Sequence, residues 1–146
     1  MIRIVVDGAP VPKGRGRIGR LANGRPVVFT PAKTKQFEDV LRLAAGEAMR
    51  GLAPFDEALI VVVSAYLPIR TSWSKRKQAA ARDGMLHATT KPDGDNYLKA
   101  ALDGLNTIVW RDDSLIVDMR VRKRYSDKPR LVIEVEPAAF ALQAVA

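Results

Sequence analysis

Asp93-Gly94-Asp95-Asn96, then Lys99, then Trp110-Arg111-Asp112-Asp113 place several carboxylates and one ammonium within about twenty residues. The surrounding chain is strongly basic, with 24 Lys and Arg against 16 Asp and Glu and a net charge of +8. A protein that attracts polyanions gains nothing from carboxylates on its binding face unless divalent cations bridge them to phosphate. Magnesium takes hard oxygen ligands and keeps several waters, so one or two carboxylates per ion together with substrate phosphate oxygens suffice. An ammonium beside them can steady the negative charge that builds up during phosphodiester hydrolysis. The pattern therefore points to metal-dependent cleavage of nucleic acid.

The elements that must position these groups follow from periodicity. From Asn96 the apolar residues Leu98, Ala101, Leu102, Leu105 and Val109 fall on one stripe, which predicts a helix to about Ile108 with Asp93 and Asp95 at its start. Asp95, Lys99 and Asp103 then line the flank of that stripe at i, i+4 and i+8. An earlier helix over 33–50 is predicted from Phe37, Val40, Leu41, Ala44, Ala45, Ala48 and Met49, with Thr30-Pro31 as its cap and Gly51 as its stop. Residues 2–7 alternate as a first strand, and the continuous apolar run 57–68 suits a central strand. Residues 115–125 and 130–136 alternate as two more strands, and Ser126-Asp127-Lys128-Pro129 reads as a hairpin turn between them. In that hairpin Arg122 would face Glu134 and Arg120 would face Glu136. The segment 9–29, rich in Pro, Gly and Arg, reads as a basic loop, and the stretch around Trp73 fits a short helix or a loop equally well. The order strand, helix, strand, helix, strand, strand predicts an α+β fold: a four-stranded mixed sheet with two main helices on one face and the other face open to a partner. At 146 residues the chain is expected to form a single domain, 1–146, with an apolar tail over 137–146.

Structural explanations compete with the chemical one. An Asp at a helix start is usually a cap, Lys99 would be its i+4 ion-pair partner, and Asp112-Asp113 would be a turn. Two known metal patterns are excluded. An EF-hand starting at Asp93 would put Tyr97 at a ligand position and Gly104 where a bidentate Glu is required. The acid-x-Lys pair of restriction-type nucleases fails because Lys99 lies four residues beyond Asp95. His87 stands alone, and the absence of cysteine rules out disulfides and thiolate zinc sites. No run approaches the roughly 20 apolar residues of a membrane span, so a cytoplasmic location is expected.

In combination, Asp93-x-Asp95-Asn96-x-x-Lys99, Asp103 and Trp110-x-Asp112-Asp113 resemble the signature of the RusA family of Holliday junction resolvases. The Pro10-Val11-Pro12-Lys13-Gly14-Arg15 segment and the Thr30-Pro31-x-x-Thr34 helix start extend the similarity over residues 2–136. The resemblance implies a homodimeric endonuclease, dependent on magnesium with manganese as a substitute, that binds four-way DNA junctions and cuts two opposing strands symmetrically in recombination and repair. It implies catalytic and metal-binding roles for Asp93, Asp95 and Asp113, a catalytic role for Lys99, and supporting roles for Asn96 and Asp112. Such relatives are often encoded by phages or prophages and act on nucleoid DNA. Where some of them carry an arginine cluster before the first acid, this chain has Thr89-Thr90-Lys91-Pro92.

DNA contacts are expected from Lys13, Arg15, Arg17 and Arg20 in the glycine-rich loop and from Lys75, Arg76 and Lys77, because phosphate contacts supply affinity without reading sequence. Trp73 and Trp110 are candidates for stacking on exposed bases or for the core. The alternative from another functional class is a non-catalytic basic nucleic-acid-binding module in which every acid is a cap or an ion-pair partner.

Overall fold

The computed structural model describes residues 1–12, 17–29 and 32–138. Along the chain run β1 (Ile2–Asp7), β2 (Arg17–Arg20), β3 (Pro26–Phe29), α1 (Ala32–Met49), β4 (Leu59–Pro68), α2 (Lys75–Arg82), α3 (Gly94–Leu105), a 3-10 turn (Asp113–Leu115), β5 (Ile116–Ser126) and β6 (Arg130–Pro137). The architecture is α+β, with a four-stranded mixed sheet in the order β1-β6-β4-β5. β4 and β5 are parallel, while β6 runs antiparallel to both β1 and β4.

This order corrects the predicted hairpin of the last two strands. β5 and β6 flank β4 and do not pair, and residues 127–129 cross over its end. Composition explains the choice. β6 carries Leu131, Val132, Ile133 and Val135, all buried, and takes an interior position. β5 places Asp118, Arg120, Arg122 and Arg124 at alternate positions, charges that suit an edge strand and would be costly in the middle. The anticipated Arg–Glu pairs are accordingly absent as cross-strand neighbours. Val62 of β4 lies between Arg120 and Glu134 in the register, and Arg120 instead bonds Asp118 on its own strand at 3.2 Å.

One face of the sheet is the core face. Ile4, Val6, Leu59, Val61, Val63, Leu131, Ile133 and Val135 are all buried there in one cluster with α1 and α3. Ile60, Val62 and Tyr66, pointing to the opposite face of β4, are only half-buried. α1 buries Phe37, Leu41, Ala45 and Met49 at four-residue spacing, and α3 buries Tyr97, Ala100, Ala101, Gly104 and Leu105. The two helices meet closely at Gly104, where an added Cβ would lie 2.5 Å from Leu41 Cδ2. Leu41 is fully buried, in an interior where close packing makes any shift of its side chain disturb its neighbours. Gly104→Ala should therefore cost about 1–3 kcal/mol, read as a lower urea midpoint at unchanged slope. An unchanged midpoint would show that the two helices can part without penalty.

Beyond the predicted pair of helices and four strands, the described residues form α2, the strands β2 and β3, and the 3-10 turn. The undecided stretch forms α2, begun by Ser74, whose hydroxyl accepts from Lys77 N at 3.2 Å. The basic segment is not wholly a loop, because β2 and β3 pair as an antiparallel ribbon around Leu21–Arg25. Its turn is built by Asn23-Gly24: Gly24 has φ +80, Asn23 Oδ1 accepts from Arg25 N at 3.1 Å, and Leu21 N donates to Arg25 O at 2.9 Å. Asn-Gly supplies the positive φ and the local side-chain bond that such a turn needs. α3 starts at Gly94 and ends at Leu105, two residues before and three before the predicted limits. Thr30-Pro31, Lys13, Arg15 and the tail beyond Ala138 lie outside the described residues.

Candidate active site

α3 presents its N-terminal turn at the surface. Asp93 occupies the N-cap position but makes no side-chain capping bond; only its backbone carbonyl accepts, from Asn96 N at 3.1 Å. Asp95 is in the first turn, and Asp93, Asp95 and Lys99 are all exposed. Among the described residues no ion pair joins Asp95 to Lys99. The structural roles that would account for these groups, capping and i+4 pairing, are thus not the ones they fill. Two free carboxylates instead sit at the positive end of a helix, and the backbone of Lys99 stands about one turn, ~6 Å, further along its axis than that of Asp95.

The neighbouring strand fixes this turn in place. A Cβ on Gly94 would stand 3.3 Å from Val121 Cγ1 and 3.9 Å from Lys123 Cδ, so the helix start lies directly on β5. Lys123 Nζ donates to Thr90 O at 2.7 Å and ties the preceding segment to the same strand. Tyr97, on the inner side of α3, is 2% exposed, and burial pushes its phenol above the ordinary value, so it is neutral across the physiological range. Asn96 is half-buried beside it.

Asp113 is held at the other end of the helix. Trp110, fully buried, donates its indole Nε1–H to Asp113 Oδ1 at 2.7 Å. That bond satisfies a buried donor and also sets the direction of the carboxylate. Asp112 caps the 3-10 turn: the Ser114 side chain, and then its backbone N–H at 2.9 Å from Oδ2, hold the Asp112 carboxyl below its usual range. Arg111 bonds Asp56 at 2.8 Å, and Phe55 is bridged to Trp110, which anchors the segment against the start of β4.

Asp93 and Asp95 stand at the start of α3, and Asp113 follows its C-terminal end. Gly94 packs against Val121 and Lys123 of β5, whereas Asp113 stands in the 3-10 turn that precedes Ile116, the first residue of that strand. Among the described residues no group of three or more Asp, Glu or His side chains is arranged to hold a metal ion. One chain thus offers an acidic pair with Lys99 at the start of α3 and Asp113 in the segment beyond its end. It does not by itself fit magnesium with all three carboxylates as ligands.

The basic residues divide into two surfaces. Lys75, Arg76 and Lys77 are exposed on α2, with the Lys77 ammonium 4.3 Å from the centre of the Trp73 ring and Arg70 at 5.9 Å. Trp73 also meets Tyr125 edge-on at 5.2 Å. Arg20 is exposed on β2, and Arg17 opens that strand. The Trp110–Asp113 bond is a contact that periodicity did not reveal. Its signal was the i, i+3 spacing of a large donor and an acid across a tight turn.

A mixed sheet backed by helices, with a basic surface and free carboxylates at a helix start, fits a DNA-cutting enzyme of the endodeoxyribonuclease class. Residues 7–136 match the family model described as "Endodeoxyribonuclease RusA", and the chain belongs to that family. It is also similar to "Uncharacterized protein YqaN" of Bacillus subtilis (strain 168), with 38% identity over 135 residues, spanning 92% of this chain and 94% of that protein.

Proposed function

We propose that the protein is a magnesium-dependent, structure-specific endodeoxyribonuclease that resolves four-way DNA junctions by paired symmetric nicks during recombination and repair. The observation that carries this reading is the unengaged state of Asp93, Asp95 and Lys99 on one exposed helical turn in a family of endodeoxyribonucleases. A bound magnesium ion, or manganese in its place, would supply Lewis acidity and a more acidic water.

The chain's own residues have definable tasks. The carboxylates of Asp93 and Asp95 provide hard oxygen ligands, and the Lys99 ammonium places positive charge where a scissile phosphate gains negative charge. Lys75, Arg76, Lys77 and Arg20, together with Lys13, Arg15 and Arg17, contribute phosphate contacts. Trp110 keeps one oxygen of Asp113 occupied and aims the carboxylate. Two equivalent cuts in a two-fold junction require two sites related by a dyad, hence a homodimer. Since Asp113 lies at the far end of α3 from Asp93 and Asp95, we assign it to the site of the opposite subunit, so that each site draws on both copies. No helix among the described residues is long and apolar enough to cross a membrane, and the proposed place of action is the cytoplasm, on nucleoid or phage DNA.

The separation of the acids within one chain is also what a non-catalytic binding module would show, and one experiment decides between the two. An end-labelled synthetic four-way junction should be nicked in opposing strands with magnesium, left whole with chelator, and a linear duplex of the same sequence should stay uncut. Junction binding without any product in magnesium or manganese would leave the binding module as the correct reading.

A further inference from the structure

The β2–β3 ribbon belongs to neither the four-stranded sheet nor the core, yet it carries apolar side chains that are exposed among the described residues. Ile18 and Val28 are direct partners in its register, so they share one face, and they are 81% and 72% exposed. Leu21, at the turn, is 45% exposed. Arg20 and Arg25 flank the group, also exposed, and the chain from Gly8 to Gln36 contains no acid. A two-stranded ribbon alone is marginally stable in water, and an apolar pair on it adds solvent-exposed cost unless a partner takes it up.

We propose that this ribbon is a wedge for DNA: Ile18 and Val28 enter between base steps at the branch point while Arg20 and Arg25 hold the adjoining phosphates. Charge selects the occupant, since a cationic, acid-free ribbon repels a second copy of itself and is attracted to a polyanion. Size agrees, because a two-stranded ribbon fits a DNA groove, and apolar wedges between base steps are an established way to unstack and kink DNA. A branch point, where stacking is already interrupted, is the least costly place for such an insertion. The inference rests on the junction reading above but concerns binding and unstacking, not cleavage.

The test uses the full-length protein in chelator, with a four-way junction carrying 2-aminopurine beside the exchange point. Wild-type protein should raise the fluorescence severalfold as the base unstacks. The double variant Ile18→Ser, Val28→Ser should abolish the rise at saturation and lose about tenfold in junction affinity, with the salt slope unchanged. Arg20→Ala with Arg25→Ala should keep the rise at saturation but lower the salt slope by about 2. Ile18→Leu, which keeps the apolar volume, should retain the fluorescence rise that the serine variant loses. Fluorescence that does not rise with wild-type protein, or that rises equally with the serine variant, would overturn the wedge. So would conversion of the serine variant from dimer to monomer in sedimentation, which would place the ribbon between subunits. If the rise is present while magnesium yields no cleavage, the nuclease reading fails and the wedge stands.

Discussion

Asp95→Asn should remove magnesium-dependent junction cleavage by at least about 10²–10³-fold while leaving junction affinity equal or higher. The reasoning starts from exposure and partners. Asp95 is exposed in the first turn of α3, and among the described residues its carboxylate bonds no other side chain. Asparagine has the same shape and is tolerated at a helix start, so the fold and its melting temperature should change little. What changes is one negative charge and one hard oxygen ligand, and the two consequences have opposite signs. Losing the charge next to phosphate favours binding of a polyanion, and losing the ligand disfavours any divalent cation. Anisotropy with a labelled junction in chelator, set beside cleavage rates in magnesium, separates the two. Cleavage at wild-type rate would remove Asp95 from the site, and loss of binding in parallel with cleavage would make its role structural.

Much of the layout can be read from local pattern, and the failures have identifiable causes. The stripe Phe37, Leu41, Ala45, Met49 predicts α1, and it is the face that α1 buries. The run Ile60 to Val63 predicts a central strand, and β4 has neighbours on both sides. The pairing of the last two strands was not legible, because a four-residue turn looks the same whether its strands pair or pass on either side of a third. The preference of the charged β5 for an edge settles that competition, and it is a property of the whole sheet. The ribbon was concealed by arginine and glycine between its short strands, although Asn23-Gly24 marks its turn. The candidate site was legible at the helix start, where Asp93, Asp95 and Lys99 share one flank of one element. It was not legible for Asp113, because the distance between the helix start and the segment that follows α3 depends on how both pack on β5.

That distance yields a second result of large size: mixing two inactive variants should restore cleavage of one strand. Suppose each site takes Asp93, Asp95 and Lys99 from one copy and Asp113 from the other. In a mixed dimer of Asp95→Asn and Asp113→Asn chains, one site receives both altered residues. The other receives Asp93 and Asp95 from the Asp113→Asn chain and Asp113 from the Asp95→Asn chain, and is complete. Each pure variant cuts slower than wild type by about 10²–10³-fold, whereas random reassortment makes half of the dimers mixed, each with one intact site. Activity should therefore recover to within a few-fold of wild type, a gain of about two orders of magnitude. The product differs as well, because one working site nicks a single strand and the paired cut that resolves the junction does not follow. If all three carboxylates acted within one chain, each mixed dimer would carry one lesion per site and mixing would restore nothing. Equilibrating the variants at concentrations that allow subunit exchange, then following nicks and paired cuts on a junction labelled in two strands, distinguishes these cases. A third variant calibrates the exchange: Asp93→Asn shares its end of α3 with Asp95, so mixing those two should remain inactive under the conditions where Asp95→Asn and Asp113→Asn recover.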